Sequence, residues 1–201
     1  MFISVEGIEG SGKSTLLDGI QHALETDGHR IVRVREPGGT PAGDRVRELF
    51  LDAALGKVDP LAEMMLINAS RAQLTQDVIR PALAKGFVVL CDRYVHSSLA
   101  YQGFGRGIPL ETVREVCRIA TNGLMPDLTI FVDVSVETSM ERVAQRGKPD
   151  RLDRESAAFH QRVRDGYRRL ALTDDRIVTV DGELDADAVL DAALAAVAVI
   201  A

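Results

Sequence analysis

An α/β fold, a five-stranded parallel sheet with helices on both faces, is what this sequence predicts, and three observations carry that reading. Apolar runs bounded by turn signals occur at "MFISVE", "RIVRVRE", "FVVLCD", "LTIFVDV" and "RIVTVD", each with the length of a buried strand. Helical patterns lie between them, and strands alternating with helices imply a parallel sheet covered on both faces. At 201 residues, with 46% hydrophobic and 27% charged, the chain fits one packed domain spanning residues 1–201.

Taken in order, "MFISVE" is the first strand, and the loop "GIEGSGKST" leads into a helix from Lys13 to Thr26. "RIVRVRE" follows, then helices from Ala42 to Leu55 and from Leu61 to Lys85. After "FVVLCD" the three glycines of "YQGFGRGIP" suggest a mobile loop before a helix from Leu110 to Gly123. "LTIFVDV" precedes a helix from Ser135 to Gln145, and "RGKPDRLDR" reads as a second mobile, basic loop within a lid segment at residues 144–156. A helix from Arg154 to Leu172, the strand "RIVTVD" and a closing amphipathic helix from Ala186 to Ala201 complete the chain; Asp187 and Asp191 interrupt that tail. Ligands on such sheets bind outside the carboxyl ends of the strands, where Gly7, Glu36, Asp92 and Asp133 fall.

A net charge of −6 argues against a protein that coats nucleic acid, so cations that matter should be clustered. Cys91 and Cys117 show no spacing suited to a disulfide framework or a zinc site, which fits a reducing, cytoplasmic setting. "MFISVEG" lacks the basic start and cleavage region of an export signal. The histidines at 22, 29, 96 and 160 read as surface or structural residues. No internal repeat or low-complexity segment stands out.

"GIEGSGKS" matches G-x-x-x-x-G-K-[ST] between a strand and a helix, the phosphate-binding P-loop. Glycines 7, 10 and 12 let backbone N–H groups converge on phosphate oxygens, and the helix that follows points its positive end at them. Lys13 adds a full charge, and Ser14 is placed to ligate Mg²⁺. Gly10 stands where some such loops carry an arginine, so a second cation must come from elsewhere. Asp92, ending the strand "FVVLCD", can hold the Mg²⁺ water shell, and Arg93 beside it can grip a second phosphate. Arg146, Lys148, Arg151 and Arg154 can close over a transferring phosphoryl group and exclude water. Together these features predict a P-loop kinase with a basic lid.

The stretches "VEGIEGSGKST", "REPGGTPAGDRVRELFL", "ASRAQL", "DRYVHSSLAYQGFGRGI", "NGLMPDLTIFVDV" and "RLDRESAAFHQRVRDGY" resemble bacterial thymidylate kinases, in family order over nearly the whole chain. The resemblance implies transfer of the γ-phosphoryl group of ATP to dTMP with Mg²⁺, in a cytoplasmic homodimer. It implies ATP binding by Gly7, Gly10, Ser11, Gly12, Lys13, Ser14, Thr15 and Arg146, with Ser14 and Asp92 at the metal. It puts Glu9 near the acceptor sugar and phosphate, Arg93 on the acceptor phosphate, and the catalytic cation at Arg151. Arg71 would bond a thymine carbonyl, Ser98 and Gln102 would lie along the base edge, and Tyr101 would crowd the sugar 2′ position. Glu36 and Pro37 belong to the loop under the acceptor, with Arg47 pointing into the same pocket; the Glu36–Pro37 bond is often cis in the family. Ile67 stands where the family usually has a phenylalanine that stacks on thymine. Two other functions compete: a P-loop kinase for another nucleoside monophosphate, and a non-catalytic nucleotide-dependent switch. Against the switch, the chain has no N-K-x-D guanine-reading motif, and an arginine-rich lid suits transfer.

Overall fold

The computed structural model describes every residue except Arg146, Lys148, Pro149 and Ala201. Its sheet contains β1 (Phe2–Glu6), β2 (Ile31–Arg35), β3 (Val88–Asp92), β4 (Leu128–Asp133) and β5 (Ile177–Asp181), in the order β2-β3-β1-β4-β5. All four pairings are parallel. After β1 the chain builds one side of the sheet with β2 and β3 and then the other with β4 and β5. The topological switch point therefore lies at the carboxyl end of β1, where a crevice opens. Register brings Val5 and Arg35 level with Asp92, so the ends of three strands meet at that crevice.

Alternate residues of β1 feed two cores. Ile3 and Val5 pack with Leu17 and Ile20 of α1 (Lys13–Thr26) and Ala193 of α9 (Ala186–Ala198). Phe2 faces the opposite core, with Tyr94, Phe131 and Tyr167. Burial on both faces explains why the strands are legible as apolar runs.

The helices follow the expected spans, with boundaries set by caps. Thr40 caps α2 (Pro41–Leu51) by accepting from the Gly43 N–H at 3.0 Å. The helix stops at Leu51 because Asp52 is extended and its carboxylate instead caps a 3₁₀ turn over Ala53–Leu55. Asp59 caps α3 (Pro60–Leu74), which runs through a wider turn at Thr75–Ile79 into α4 (Arg80–Ala84). Pro81 can donate no ladder bond, and the widened turn lies just before it. Residues 61–85 thus follow one helical path, as expected, with a π turn inside it. Beyond β4 lie α7 (Val136–Gln145) and α8 (Ala157–Ala171), the latter starting later than the sequence suggests because Ser156 caps it through the Phe159 N–H at 3.2 Å.

One expectation is corrected. "YQGFGRGIP" is not a loop throughout: α5 (Val95–Ser98) continues into a π turn at Leu99–Gly105, and only the end of the stretch is irregular before α6 (Leu110–Thr121). Two of its three glycines serve close packing, whereas Gly107, at φ +82°, has open space around it. A Cβ on Gly103 would sit 2.5 Å from the Leu110 side chain, and one on Gly105 would sit 2.8 Å from Phe159.

Candidate active site

A cavity of about 460 Å³ opens at the switch point, between the P-loop, α2, α3 and the segment that follows β3. At its phosphate end Lys13 folds back over the loop. Its ammonium donates to Gly7 O at 3.1 Å, Ile8 O at 2.8 Å and Ser11 Oγ at 3.3 Å. Burial, and then the charge of Arg93, pull the Lys13 pKa down to about 8 against the opposing pull of Asp92, Glu9 and Glu6.

Gly10 explains the missing arginine. It has φ +71°, and a Cβ there would lie 2.6 Å from the Ser139 carbonyl oxygen. Helix α7 is seated on the loop, with Ser139 Oγ donating to Glu9 O at 2.6 Å. The same helix delivers Arg142 to the cavity wall, donating to Gly10 O at 3.4 Å and Gly182 O at 3.2 Å. Sequence reasoning passed over Arg142; its signal is a lone arginine three residues after Ser139 on the helix entering the basic segment.

Ser14 and Asp92 both line the cavity, and Asp92 Oδ1 is buried with no hydrogen-bond partner. An acceptor left bare in a polar crevice suits a hydrated divalent cation. Beside it Arg93 adopts φ +69°, a conformation uncommon outside glycine, which places its guanidinium across the cavity. The guanidinium donates to Glu9 Oε1 at 3.0 Å and to Ser97 Oγ at 3.3 Å. Glu6 anchors this segment, accepting from the Tyr94 N–H at 2.7 Å, Ser97 Oγ at 2.5 Å and Tyr167 OH at 2.8 Å.

Glu9 also accepts from Tyr101 OH at 2.8 Å and lies 3.5 Å from His160 Nδ1. Burial would raise its pKa, but Arg93, His160 and Lys13 together hold it well below the ordinary carboxylate range. Two of the four histidines are buried: His160 at this centre, and His96 between Thr129 and Asp174.

At the other end the Glu36–Pro37 bond is cis, and Arg47 donates to Pro37 O at 3.0 Å. Arg71 is wholly buried: Nε donates to Glu36 Oε2 at 2.7 Å, one terminal nitrogen to Asn68 Oδ1 at 3.0 Å and Ser98 Oγ at 2.9 Å, the other to Tyr94 O at 2.9 Å. Burial pushes Glu36 up to about 7 against the pull of Arg71. Gln102 donates to Glu63 Oε1 at 2.9 Å, and its own Oε1 is buried without a partner. Ile67 completes the apolar wall.

The cavity therefore brings together Glu9, Gly10, Gly12, Lys13, Ser14 and Thr15 from the phosphate side with Asp92 and Arg93. Glu36, Pro37, Arg47, Ile67, Arg71, Ser98, Tyr101 and Gln102 line the same cavity. Gly7 and Ser11 are buried and are not among its lining residues, a Cβ on Gly7 would meet Ser11 Oγ at 2.7 Å, and Arg146 falls outside the described residues. Asp133 is drawn away to Arg164 and Arg168, each at 2.7 Å.

Arg151 departs from expectation. Its guanidinium is buried against Glu63 Oε2 at 2.8 Å and donates to Phe50 O at 2.9 Å, while its neighbours Asp150 and Leu152 face the cavity. The physical reason is Glu63, a carboxylate with no exposure that needs cationic partners and that sequence reasoning did not single out.

Comparison with known proteins accords with this geometry. The family model described as thymidylate kinase matches residues 5–193. The chain is 50% identical to a thymidylate kinase of Deinococcus radiodurans, over 85% of this chain and 82% of the relative. It is 45% identical to one from Trichlorobacter lovleyi, over 99% of each. The crystal structure of thymidylate kinase from Ehrlichia chaffeensis superposes with a TM-score of 0.80 at 28% identity, covering 98% of both chains. With its P-loop, its switch-point cavity and a family match along almost its entire length, the chain belongs to the thymidylate kinase family.

Proposed function

We infer that this protein transfers the γ-phosphoryl group of ATP to dTMP, giving ADP and dTDP. The observation that carries the acceptor is the hydrogen-bonding capacity left over at the base end. Arginine has five N–H donors. On Arg71, Glu36 takes the Nε N–H, Asn68, Ser98 and the Cys117 sulfur share the two N–H groups of one terminal nitrogen, and Tyr94 O takes one of the other nitrogen's two, so one is left for a carbonyl. Gln102 Oε1 is an acceptor without a partner. A donor and an acceptor on the wall that includes Ile67 match the C4 carbonyl and N3–H of thymine.

Phosphoryl transfer here is chiefly positioning and charge neutralisation. Lys13 and the P-loop amides of Gly7, Gly10, Ser11, Gly12, Ser14 and Thr15, with Arg146, would hold the donor phosphates. Arg93 would hold the acceptor phosphate, and Glu9 would fix Arg93 and Tyr101 at the sugar. Mg²⁺ bound by Ser14 and Asp92 would neutralise charge between the phosphates. Arg142 lines the cavity, whereas Arg151 would reach the transferring group only by leaving Glu63. No described helix is long and apolar enough to cross a membrane. We place the reaction in the cytoplasm and the protein in a homodimer.

The test is ADP release with dTMP, dUMP, dCMP, dAMP and dGMP. The expected result is the highest kcat/KM for dTMP, at least ~100-fold above dCMP, since sites built on hydrogen bonds discriminate strongly. A higher value for another monophosphate, or ATP hydrolysis indifferent to the acceptor, would overturn the reading.

A further inference from the structure

Glu63 is a buried carboxylate surrounded by donors. Its Oε1 accepts from Gln102 Nε2 at 2.9 Å and Arg106 Nε at 3.1 Å, and its Oε2 accepts from Arg106 at 2.9 Å and Arg151 at 2.8 Å. It has little freedom to turn. Arg106 is tied on its far side to Glu155 at 2.7 Å, and Arg151 to Phe50 O at 2.9 Å. Burial would favour the neutral acid, but hydrogen bonds from Arg106, Gln102 and Arg151 outweigh it and hold the carboxyl below its ordinary pKa.

An ionised carboxylate can only accept, whereas the two ends of a glutamine amide differ: the nitrogen donates and the oxygen accepts. Facing Glu63, the Gln102 amide must present its nitrogen, and the carbonyl oxygen of this cavity-lining residue is left as a buried acceptor without a partner. We propose that Glu63 is a positioning residue for base specificity: by fixing the Gln102 amide it makes the site demand an N–H at the base N3 position. The proposal rests on the dTMP reading above. Thymine and uracil carry that N–H; cytosine carries a lone pair there, which would meet the Gln102 oxygen lone pair across a dry gap. Discrimination against cytosine is thus set by a residue placed to touch Gln102 rather than the base.

Glu63→Gln tests this, because an amide at 63 can offer either end to Gln102 and so releases its orientation. The kcat/KM ratio of dTMP to dCMP should fall at least ~10-fold relative to the unsubstituted protein, about the worth of one specific hydrogen bond. The ratio of dTMP to dUMP, which share the N3–H, should change less than ~3-fold. A purely structural role would lower all three activities together, and unchanged ratios in the folded variant would overturn the proposal. An unsubstituted protein that does not prefer dTMP would instead overturn the dTMP reading, and this assignment with it. Should the variant not fold, ¹⁵N NMR of the unsubstituted protein decides: the Gln102 side-chain NH₂ should be protected from solvent exchange before and after dTMP is added. Rapid exchange in either state would overturn the assignment.

Discussion

Ile67 shows how one side chain separates binding chemistry from phosphoryl transfer. It stands one helical turn from Arg71 on the same face of α3 and lines the cavity without a ring. Phe104 does not supply one: it packs on Gly166, where a Cβ would lie 2.6 Å from its ring, and under the guanidinium of Arg169 at 5.8 Å. Base–aromatic stacking is worth about 1–3 kcal/mol by truncation, and the apolar contact of isoleucine recovers part of that. Ile67→Phe should therefore tighten dTMP by about 2- to 12-fold, read by calorimetric titration. Unchanged or weaker binding in a folded variant would mean that the wall has no room for a ring. Lys13, Asp92 and Arg93 were legible as cavity residues because motif chemistry and spacing coincide, whereas Arg71 came only through the family resemblance. Glu63 and His160 were not: a lone polar residue in an amphipathic helix looks the same whether it faces water or a buried partner.

At the scale of elements, the strands were readable because burial on both faces leaves no polar alternation to confuse them. The helical turns from Val95 to Gly105 were not, because glycine marks both mobile loops and tight packing, and only the neighbours Leu110 and Phe159 show which applies. Gly10 poses the same ambiguity and is resolved the same way. Its open side is filled by α7, so the P-loop can take no arginine from within and α7 brings Arg142 to its edge. Gly10→Arg, the obvious way to add a cation to the loop, should fail. It would force a side chain into backbone at 2.6 Å and hold a non-glycine residue at φ +71°. Strain and overpacking of this kind each cost about 1–3 kcal/mol. A fall in melting temperature with at least ~10-fold weaker binding of a non-hydrolysable ATP analogue is the expected outcome. A variant with undiminished stability and nucleotide affinity would show that α7 can withdraw from the loop.

For the whole molecule, α3 links the catalytic cavity to the outer surface. Its inner face carries Ile67 and Arg71 at the cavity with Glu63 buried beside them, and positions 61, 65 and 69 fall on the opposite side of the helical wheel, where all three residues are exposed. Leu61 and Met65 are each 49% exposed, and α2 and α6, which both contact α3, carry Leu49 at 44% and Ile119 at 65%. Apolar side chains left open on three neighbouring helices are best covered by a second copy of the same surface, since a two-fold interface needs only self-complementarity. The protein should sediment at twice its 21.8 kDa chain mass. Met65→Glu places like charges against each other across such a face and should shift the equilibrium to monomer. Because the proposed acceptor contacts of Ile67 and Arg71 also lie on α3, losing its outer support should raise the KM for dTMP by about 3- to 10-fold, corresponding to ~1 kcal/mol. Affinity for the ATP analogue, which would depend on the P-loop between β1 and α1, with α1 packed on the opposite face of the sheet from α3, should hold. Sedimentation equilibrium of both proteins decides the first point: a monomeric unsubstituted chain at tens of micromolar would mean that the outer face of α3 is ordinary solvated surface. Parallel loss of both ligands in Met65→Glu would mean that the whole crevice, and not its acceptor wall alone, depends on that support.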